Sequence, residues 1–394
     1  MGDHGFRPAW VEIDVGALRH NAAVLRRIAA PAALCAVVKA DGYGHGSVAA
    51  ARAALAGGAT WLAVALVEEG IVLRRAGIDA PILLLSEPVP GAARELVAAH
   101  LVPTVYTDEG IDALAAAAGE RAPGAGPLDV HVKVDTGMHR VGADPVDAVR
   151  LADRIAGDPG LRLQGVWTHL AVADGTSTED VEFTGGQLAA LDAALADLRA
   201  AGHDPELVHA ANSAGAIAHP AARRDLVRCG IALYGESPSA SLVPVLGGSA
   251  EGRELRPVLS LRAKVGFVRT LGAGERPSYG RRRALDGPTV VATIPIGYAD
   301  GVPRRLFDCG GEVLIGGRRR PLAGVVTMDQ IVVDCGPPET AGVAVGDDVV
   351  LIGRQGDESV TAADWADLLG TISYEVLCDI GPRVPRVVVD HAAT

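Results

Sequence analysis

Ala32-Ala33-Leu34-Cys35-Ala36-Val37-Val38-Lys39 runs straight into Ala40-Asp41-Gly42-Tyr43-Gly44-His45-Gly46. An apolar run of this length, followed by a glycine-rich turn and then the alanine-rich stretch Val48–Ala56, reads as a fully buried strand leading into a helix. Lys39 stands at the carboxyl end of that strand. In parallel α/β folds that end faces the loops where chemistry is built. Ala40 and Gly42 leave room for a bulky group close to the backbone.

The lysine is conspicuous for a second reason. The chain has three lysines, Lys39, Lys133 and Lys264, against 33 arginines. Arginine stays protonated, whereas a lysine can lose its proton and attack a carbonyl. A lysine kept where arginine is otherwise the rule is a candidate for covalent chemistry. In a chain of ordinary composition a surface lysine would be the default reading. Here the scarcity, the strand end and the turn all oppose it.

Outward from Lys39 the same rhythm repeats. Leu34–Val38, Trp61–Ala65, Ile82–Leu85, Val102–Tyr106, Val130–Val134, Leu163–Thr168, Leu207–His209 and Leu226–Arg228 read as strands. Val48–Ala56, Glu68–Ala76, Ala92–His100, Ile111–Gly119 and Gly185–Ala201 read as helices between them. Eight such units predict an α/β fold, an N-terminal (β/α)8 TIM-type barrel over 14–240. A doubly wound sheet is the alternative, lowered by the lack of a GxGxxG at the first helix. A Ser/Pro/Gly-rich break follows at Ser237–Glu251. Beyond it Leu259–Leu271, Thr289–Ile294, Glu312–Gly316, Gln330–Asp334 and Asp348–Gly353 predict a mainly antiparallel β-domain over 250–394, with one helical stretch, Ala362–Leu369. Trp10–Ile13 is a short β pattern, so residues 1–13 are expected to join that second domain.

Composition narrows the function classes. The 394 residues are 49% hydrophobic and 21% charged, which is globular, and the formal charge is −12. That balance disfavours nucleic acid and anionic membrane surfaces as partners. Met1–Pro8 lacks the apolar stretch and cleavage site of a signal peptide, so a cytoplasmic location is expected. Five scattered cysteines without a CxxC, and histidines without HExxH spacing, predict neither a disulfide framework nor a metal site.

Further patches carry chemistry-bearing residues. In His131–Arg140, Lys133 lies within a strand and, by alternation, points the same way as His131 and Asp135. Its bland reading is an ion pair with Asp135. Arg140 suits bidentate capture of a carboxylate. Tyr279 lies between Arg276 and Arg281-Arg282-Arg283, cations that would lower a phenol's pKa; its bland reading is a turn tyrosine. Asn212-Ser213 could open a helix whose free N–H groups suit a phosphate, Arg228-Cys229-Gly230-Ile231 gives a strand-end arginine and a glycine, and Thr327-Met328-Asp329-Gln330 carries the only internal methionine besides Met138.

Taken together, VVKADGYGHG (37–46), KVDTGMHRVG (133–142), THLAVAD (168–174), HAANSAG (209–215), VRCGIALYG (227–235), SYG (278–280), IPIGYADG (294–301), VTMDQ (326–330) and ISYEV (372–376) resemble, in the same order, the motifs of the alanine racemase family. The likeness runs from about residue 8 to 388. It implies a homodimer working with pyridoxal 5′-phosphate, active sites shared between subunits, and D-alanine made for peptidoglycan. By the resemblance Lys39 carries the cofactor through its amine and serves as one base, for the D-enantiomer. Tyr279, supplied by the partner subunit, serves the L-enantiomer. Arg228 meets the pyridine nitrogen, and Tyr43, Ser213, Gly230, Ile231 and Tyr374 hold the phosphate. Arg140 and the Met328 amide of the other subunit meet the substrate carboxylate, with Asp329 beside Met328. Lys133 matches a lysine often carbamylated in the family, which steadies that arginine. His169 and Asn212 fall just outside the cofactor's direct contacts. Tyr298 and Tyr374 narrow the entrance, a steric preference for a small substrate.

Two bases on opposite faces suit a reaction that removes the α-proton from one side and returns it to the other. An arginine at the pyridine nitrogen keeps its proton, weakening the cofactor as an electron sink and disfavouring transamination. Two departures stand out: Cys229 where proline is common, and Val325 where arginine is frequent. The competing readings are a serine or broader-specificity racemase of the same fold and a non-catalytic pyridoxal-phosphate carrier. The β-domain bearing Tyr279 and Met328 argues against the carrier.

Overall fold

The computed structural model describes residues 6–122, 124, 126–246 and 254–391. Part of the expected break at Ser237–Glu251, the first residues assigned to the β-domain and Met1–Gly5 lie outside the described residues. The chain divides into two compact units, Leu18–Gly42 with Ser47–Arg256, and Met1–Ala17 with Tyr43–Gly46 and Pro257–Thr394. Relative to the expected division, the larger unit starts at Leu18 and runs on to Arg256, and Tyr43–Gly46 goes with the smaller one.

Strand β1 (Ala9–Asp14) belongs to the smaller unit; the larger holds β2 (Ala33–Val37), β3 (Trp61–Val64), β4 (Ile82–Leu84), β5 (Thr104–Val105), β6 (Leu128–Lys133), β7 (Leu161–Trp167), β8 (Leu207–His209) and β9 (Leu226–Cys229). All eight run parallel, in two ladders ordered β4-β3-β2-β9 and β5-β6-β7-β8. Backbone hydrogen bonds close both seams: Leu84 N–H to Val102 O (2.8 Å) joins β4 to the start of β5, and Arg228 N–H to Ala211 O (2.9 Å) joins β9 to the end of β8. The result is a closed eight-stranded barrel.

The outer helices follow from local chemistry. Ala148–Ala156 buries Ala148, Leu151, Ala152 and Ile155, the i, i+3, i+4, i+7 stripe of a helix lying on a sheet. Thr107 and Ser177 cap the helices Asp108–Gly119 and Thr178–Ala200, their hydroxyls accepting the N–H of Gly110 and Asp180. Leu34, Leu62, Ile82, Leu83 and Leu84 are fully buried. Each such side chain contributes roughly 1.5–3 kcal/mol of transfer free energy.

In the smaller unit, β10 (Leu259–Lys264), β11 (Phe267–Leu271), β12 (Thr289–Ile294), β13 (Glu312–Ile315), β14 (Arg318–Pro321), β15 (Ile331–Asp334), β16 (Asp348–Gln355), β17 (Glu358–Val360) and β18 (Arg386–Val389) join β1. One sheet is ordered β14-β13-β16-β10-β1-β18, with β17 on β16, and a second is β11-β12-β15. Among the described residues of this unit, only the β1–β18 pairing is parallel. The run Leu259–Leu271, read as one strand candidate, is two strands in different sheets. Val265 and Gly266 break it, donating to Asp347 O and Thr293 O. The helix Ala362–Leu369 opens on Thr361, which exchanges hydrogen bonds with Asp364, and stops at Gly370 (φ 70°).

Candidate active site

Lys39 leaves β2 into a backbone turn that no local rule announces. Ala40 (φ 51°, ψ 50°), Asp41 (φ 49°, ψ 49°), Gly42 (φ 63°, ψ 42°) and Tyr43 (φ 54°) are all left-handed. Each non-glycine residue in this region costs roughly 1–2 kcal/mol. Hydrogen bonds to backbone and carboxylates help to hold the turn. Gly42 N–H donates to Val38 O (2.9 Å), Ser47 N–H donates to the Asp41 carboxylate (2.7 Å), and Ala40 N–H donates to the Glu69 carboxylate (2.6 Å).

On the neighbouring strand β9, Arg228 is paired with Cys35 of β2 and is buried at 3% exposure. Its Nη1 lies 2.8 Å from Nδ1 of His209; its Nη2 donates to Thr168 O (2.8 Å) and Ala210 O (3.1 Å) and lies 3.3 Å from Nδ1 of His169. None of these partners is a carboxylate. Burial pushes Arg228 down to about 10, still charged at neutral pH. The Trp167 ring supports it, with the guanidinium carbon 4.4 Å from the ring centroid and His209 stacked nearby at 5.4 Å.

Lys133, at the end of β6, is also 3% exposed, and its Nζ lies 4.4 Å from the Trp167 ring centroid. Burial first, then the charges of Arg228 and Arg140, push its pKa down to about 8, against a smaller opposing pull from Asp135. The Asp135 carboxylate is otherwise committed to its own turn, accepting from the N–H of Gly137 and His139 at 3.0 Å each. Burial and then the cations Arg228, Arg140, Lys133 and Lys39 hold His169 well below its ordinary value. Arg140 is exposed just beyond this cluster.

Asn212 caps the helix Ser213–Ala218, accepting Gly215 N–H at 2.9 Å. The buried Ser213 hydroxyl accepts from the N–H of Gly230 (3.0 Å) and Ala232 (3.5 Å), so its own proton is left to donate. Ile231, wholly buried, opens the 3-10 turn Ile231–Tyr234, and the Tyr234 hydroxyl donates to Val37 O at 3.1 Å. This tyrosine, Trp167, His209 and Glu69 were not singled out from the sequence. Trp167, one of four tryptophans, at a strand end was the available signal.

This donor set fits an anionic group. Arg228, Lys133, Lys39 and Arg140 bring cations together, and a hydroxyl is ready to donate to an oxygen. A phosphate and a carboxylate are the anions such a cup would take.

The smaller unit places the remaining residues. Tyr43 is buried, and its ring lies 6.2 Å from that of Tyr374, on the helix Ser373–Cys378. Tyr298 and Met328 are held in one turn: Tyr298 N–H donates to Thr327 O and Ala299 N–H to Met328 O, both at 3.0 Å. A Cβ on Gly297 would stand 2.2 Å from Thr327 O, so only glycine permits this approach. Asp329 accepts from Arg383 at 2.7 Å. Tyr279 is 73% exposed and Met328 is 52% exposed. The loop bearing Tyr279 is anchored by the Ser278 hydroxyl, which donates to Val325 O at 2.5 Å. Its basic neighbours are engaged elsewhere, Arg282 with Asp308 and Arg283 with Asp334. The Val325 side chain is buried, as is Cys229, whose thiol burial pushes up to about 12.

Residues 13–238 match the model of the alanine racemase N-terminal domain, and residues 258–388 that of the C-terminal domain. Over 97% of both chains the sequence is 46% identical to the alanine racemase of Symbiobacterium thermophilum. It is 41% identical to that of Carboxydothermus hydrogenoformans, over 97% of this chain and all of the relative. Among solved structures it resembles alanine racemase from Bacillus anthracis with bound L-Ala-P (TM-score 0.87, 36% identity, covering 98% of this chain and 96% of that one). It is equally similar to the enzyme from D-cycloserine-producing Streptomyces lavendulae (TM-score 0.87, 38% identity, 98% of each chain).

Proposed function

This chain belongs to the alanine racemase family, and from that membership we propose that it interconverts L- and D-alanine with two bases placed on opposite faces of the substrate. The observation that carries the proposal is geometric: Lys39 stands at the exit of β2, while the buried Arg228 and Lys133 share the Trp167 ring at 4.4 Å each and Arg228 reaches His169 at 3.3 Å.

Pyridoxal 5′-phosphate, when bound, supplies an electron sink for the charge left at Cα. Lys39 would hold it through its amine. Ser213, Gly230, Ile231, Tyr43 and Tyr374 would receive the phosphate, with His169 and Asn212 behind them. Arg228 would face the pyridine nitrogen. Because Arg228 remains charged at neutral pH, it donates without surrendering its proton, which disfavours transamination.

Lys39 Nζ takes or returns the α-proton on one face, and the hydroxyl of Tyr279 from a second copy does so on the other. Arg140, with the Met328 amide and Asp329 of that copy, receives the substrate carboxylate. The exposure of Tyr279 and Met328 supports a homodimer in which they complete the partner's site. Tyr298 and Tyr374 restrict the side chain to one of alanine's size. Lys133, with its lowered pKa, would react with carbon dioxide to give a carbamate that braces Arg140. A cytoplasmic enzyme feeding D-alanine to peptidoglycan completes the reading.

The test is α-proton exchange in deuterated water, with added pyridoxal phosphate, from each enantiomer of alanine, followed by chiral analysis. Exchange with racemisation from both is expected. Absence of exchange with alanine but exchange with serine or lysine would replace the substrate. A bound cofactor without any exchange would leave only the carrier role.

A further inference from the structure

We propose that Glu69 is a positioning residue for Lys39, holding the peptide plane through which the lysine leaves the barrel; this rests on the reading of Lys39 as a catalytic base. Glu69 is the third residue of the helix Val67–Arg75. Its Oε2 accepts from Ala65 N–H (2.8 Å) and Leu66 N–H (3.1 Å), at the carboxyl end of β3. That much is ordinary capping of a helix start. The other oxygen does something capping does not require. Oε1 accepts Ala40 N–H at 2.6 Å, on the neighbouring strand's exit, 29 residues earlier in the chain.

The Ala40 N–H lies in the same rigid peptide plane as the Lys39 carbonyl and Cα. Fixing that N–H therefore fixes the direction in which the lysine backbone leaves β2. It also fixes the first residue of the left-handed run Ala40–Tyr43, which the chain would not adopt unaided. A short, charge-assisted bond is suited to the task. Both oxygens are needed, since one serves each strand. A glutamine could accept on one side only and would turn its NH2 toward an N–H on the other.

The larger unit contains a chemically similar tie to serve as a control. Glu87 accepts from the N–H of Tyr106 (2.6 Å) and Thr107 (2.9 Å) and from the Thr107 hydroxyl (2.5 Å), just past β5. It holds a strand exit without touching the segment that follows Lys39.

The experiment compares E69Q, E87Q and the unsubstituted protein, each loaded with pyridoxal phosphate. Measured are kcat and KM for both alanine enantiomers, visible circular dichroism of the bound chromophore, and peptide-level hydrogen exchange over residues 38–46 without cofactor. A misplacement of about 1 Å costs up to about 10²-fold in rate. E69Q is therefore expected to lower kcat by about tenfold to a hundredfold, with KM changed less than about threefold. It should also alter the chromophore's dichroism and speed exchange over 38–46, while E87Q loses comparable denaturant resistance and shifts none of these. Unchanged exchange over 38–46 in E69Q would overturn the tie itself. Faster exchange with unaltered dichroism and kcat would overturn its bearing on Lys39, and equal kcat losses in both variants would reduce Glu69 to general stability. Failure of the unsubstituted protein to racemise alanine would instead strike the proposed function, and the cofactor-free exchange comparison would still decide whether Glu69 holds the turn.

Discussion

Arg228 Nη1 lies 2.8 Å from His209 Nδ1, and a guanidinium can only donate, so His209 Nδ1 is bare and its proton sits on Nε2. The consequence passes along the barrel interior. His209 Nε2 lies 2.9 Å from His131 Nδ1, which must therefore accept, and His131 Nε2 then donates to Gln164 Oε1 at 3.1 Å. A single cation sets the tautomers of two wholly buried imidazoles. Protonating either would set one N–H against another.

This arrangement makes stability depend on pH in a stated direction. Burial, foremost, pushes His131 from 6.5 down to about 4, and burial and Arg228 hold His209 well below its ordinary value. The unfolded chain therefore binds protons near 6.5 that the folded chain refuses. Stability contributed by neutral His131 is present above 6.5, is lost as pH falls, and levels off near 4. At ~1.4 kcal/mol per unit this one residue accounts for on the order of 3 kcal/mol. Denaturant unfolding at pH 7.5 and pH 5 should show a clear loss at the lower pH. His131→Gln should flatten that dependence; equal slopes in both proteins would refute the neutral chain.

Tyr279→Phe separates the two bases by direction. With only Lys39 able to exchange a proton, D-alanine should still exchange its α-hydrogen with deuterated water. Racemisation from L-alanine should fall by about 10³-fold or more, the scale of losing an acid/base group. Unimpaired turnover of L-alanine in this variant would remove Tyr279 from the mechanism.

Lys133 carries a chemical signature. At about pH 8 half of its amine is neutral, against roughly 0.3% for an ordinary lysine. Incubation with 13C-bicarbonate at pH 8 should give a carbamate signal that disappears in Lys133→Arg. That variant should lose about tenfold in kcat/KM, because arginine keeps a cation where an anion would brace Arg140. No label taken up at saturating bicarbonate would leave Lys133 as a cation stacked on Trp167.

The barrel was legible because its strands are short apolar runs with polar or glycine-rich exits, a pattern that survives without knowledge of partners. Lys39 stood out by scarcity and by strand position. The left-handed turn after it was not legible, since Ala40, Asp41 and Tyr43 carry no local preference for positive φ strong enough to announce it. Nor were the long-range ties. Glu69 reads as an ordinary first-turn carboxylate, and the partners of His209 lie on other strands, Arg228 on β9 and His131 on β6. Alternation points Lys133 the same way as His131 and Asp135, but the strand ends at Lys133, and Asp135 turns to cap its own loop. Such facts depend on closure of the barrel, which joins residues far apart in the chain.

Asp300 and Arg383 should separate stability from substrate binding within the smaller unit. The Asp300 carboxylate is wholly buried; it accepts from Gly297 N–H (3.0 Å) and Arg7 (2.9 Å) and lies 3.3 Å from Arg383 Nε. Removing one member of a buried ion pair leaves the rest without compensation, at a cost of about 3 kcal/mol or more. Asp300→Ala should therefore shift the unfolding midpoint strongly. Arg383 is exposed and reaches on to Asp329 beside Met328, and without it Asp300 keeps Arg7 and Gly297 N–H, so Arg383→Ala should move the midpoint much less than Asp300→Ala. What it should lose is the fixed position of the Met328 turn. If that turn receives the substrate carboxylate, KM for alanine rises about threefold to tenfold while kcat stays within twofold, the pattern of lost uniform binding. A fall in kcat with KM unchanged would mean that the Met328–Asp329 turn acts on the transition state rather than on substrate capture.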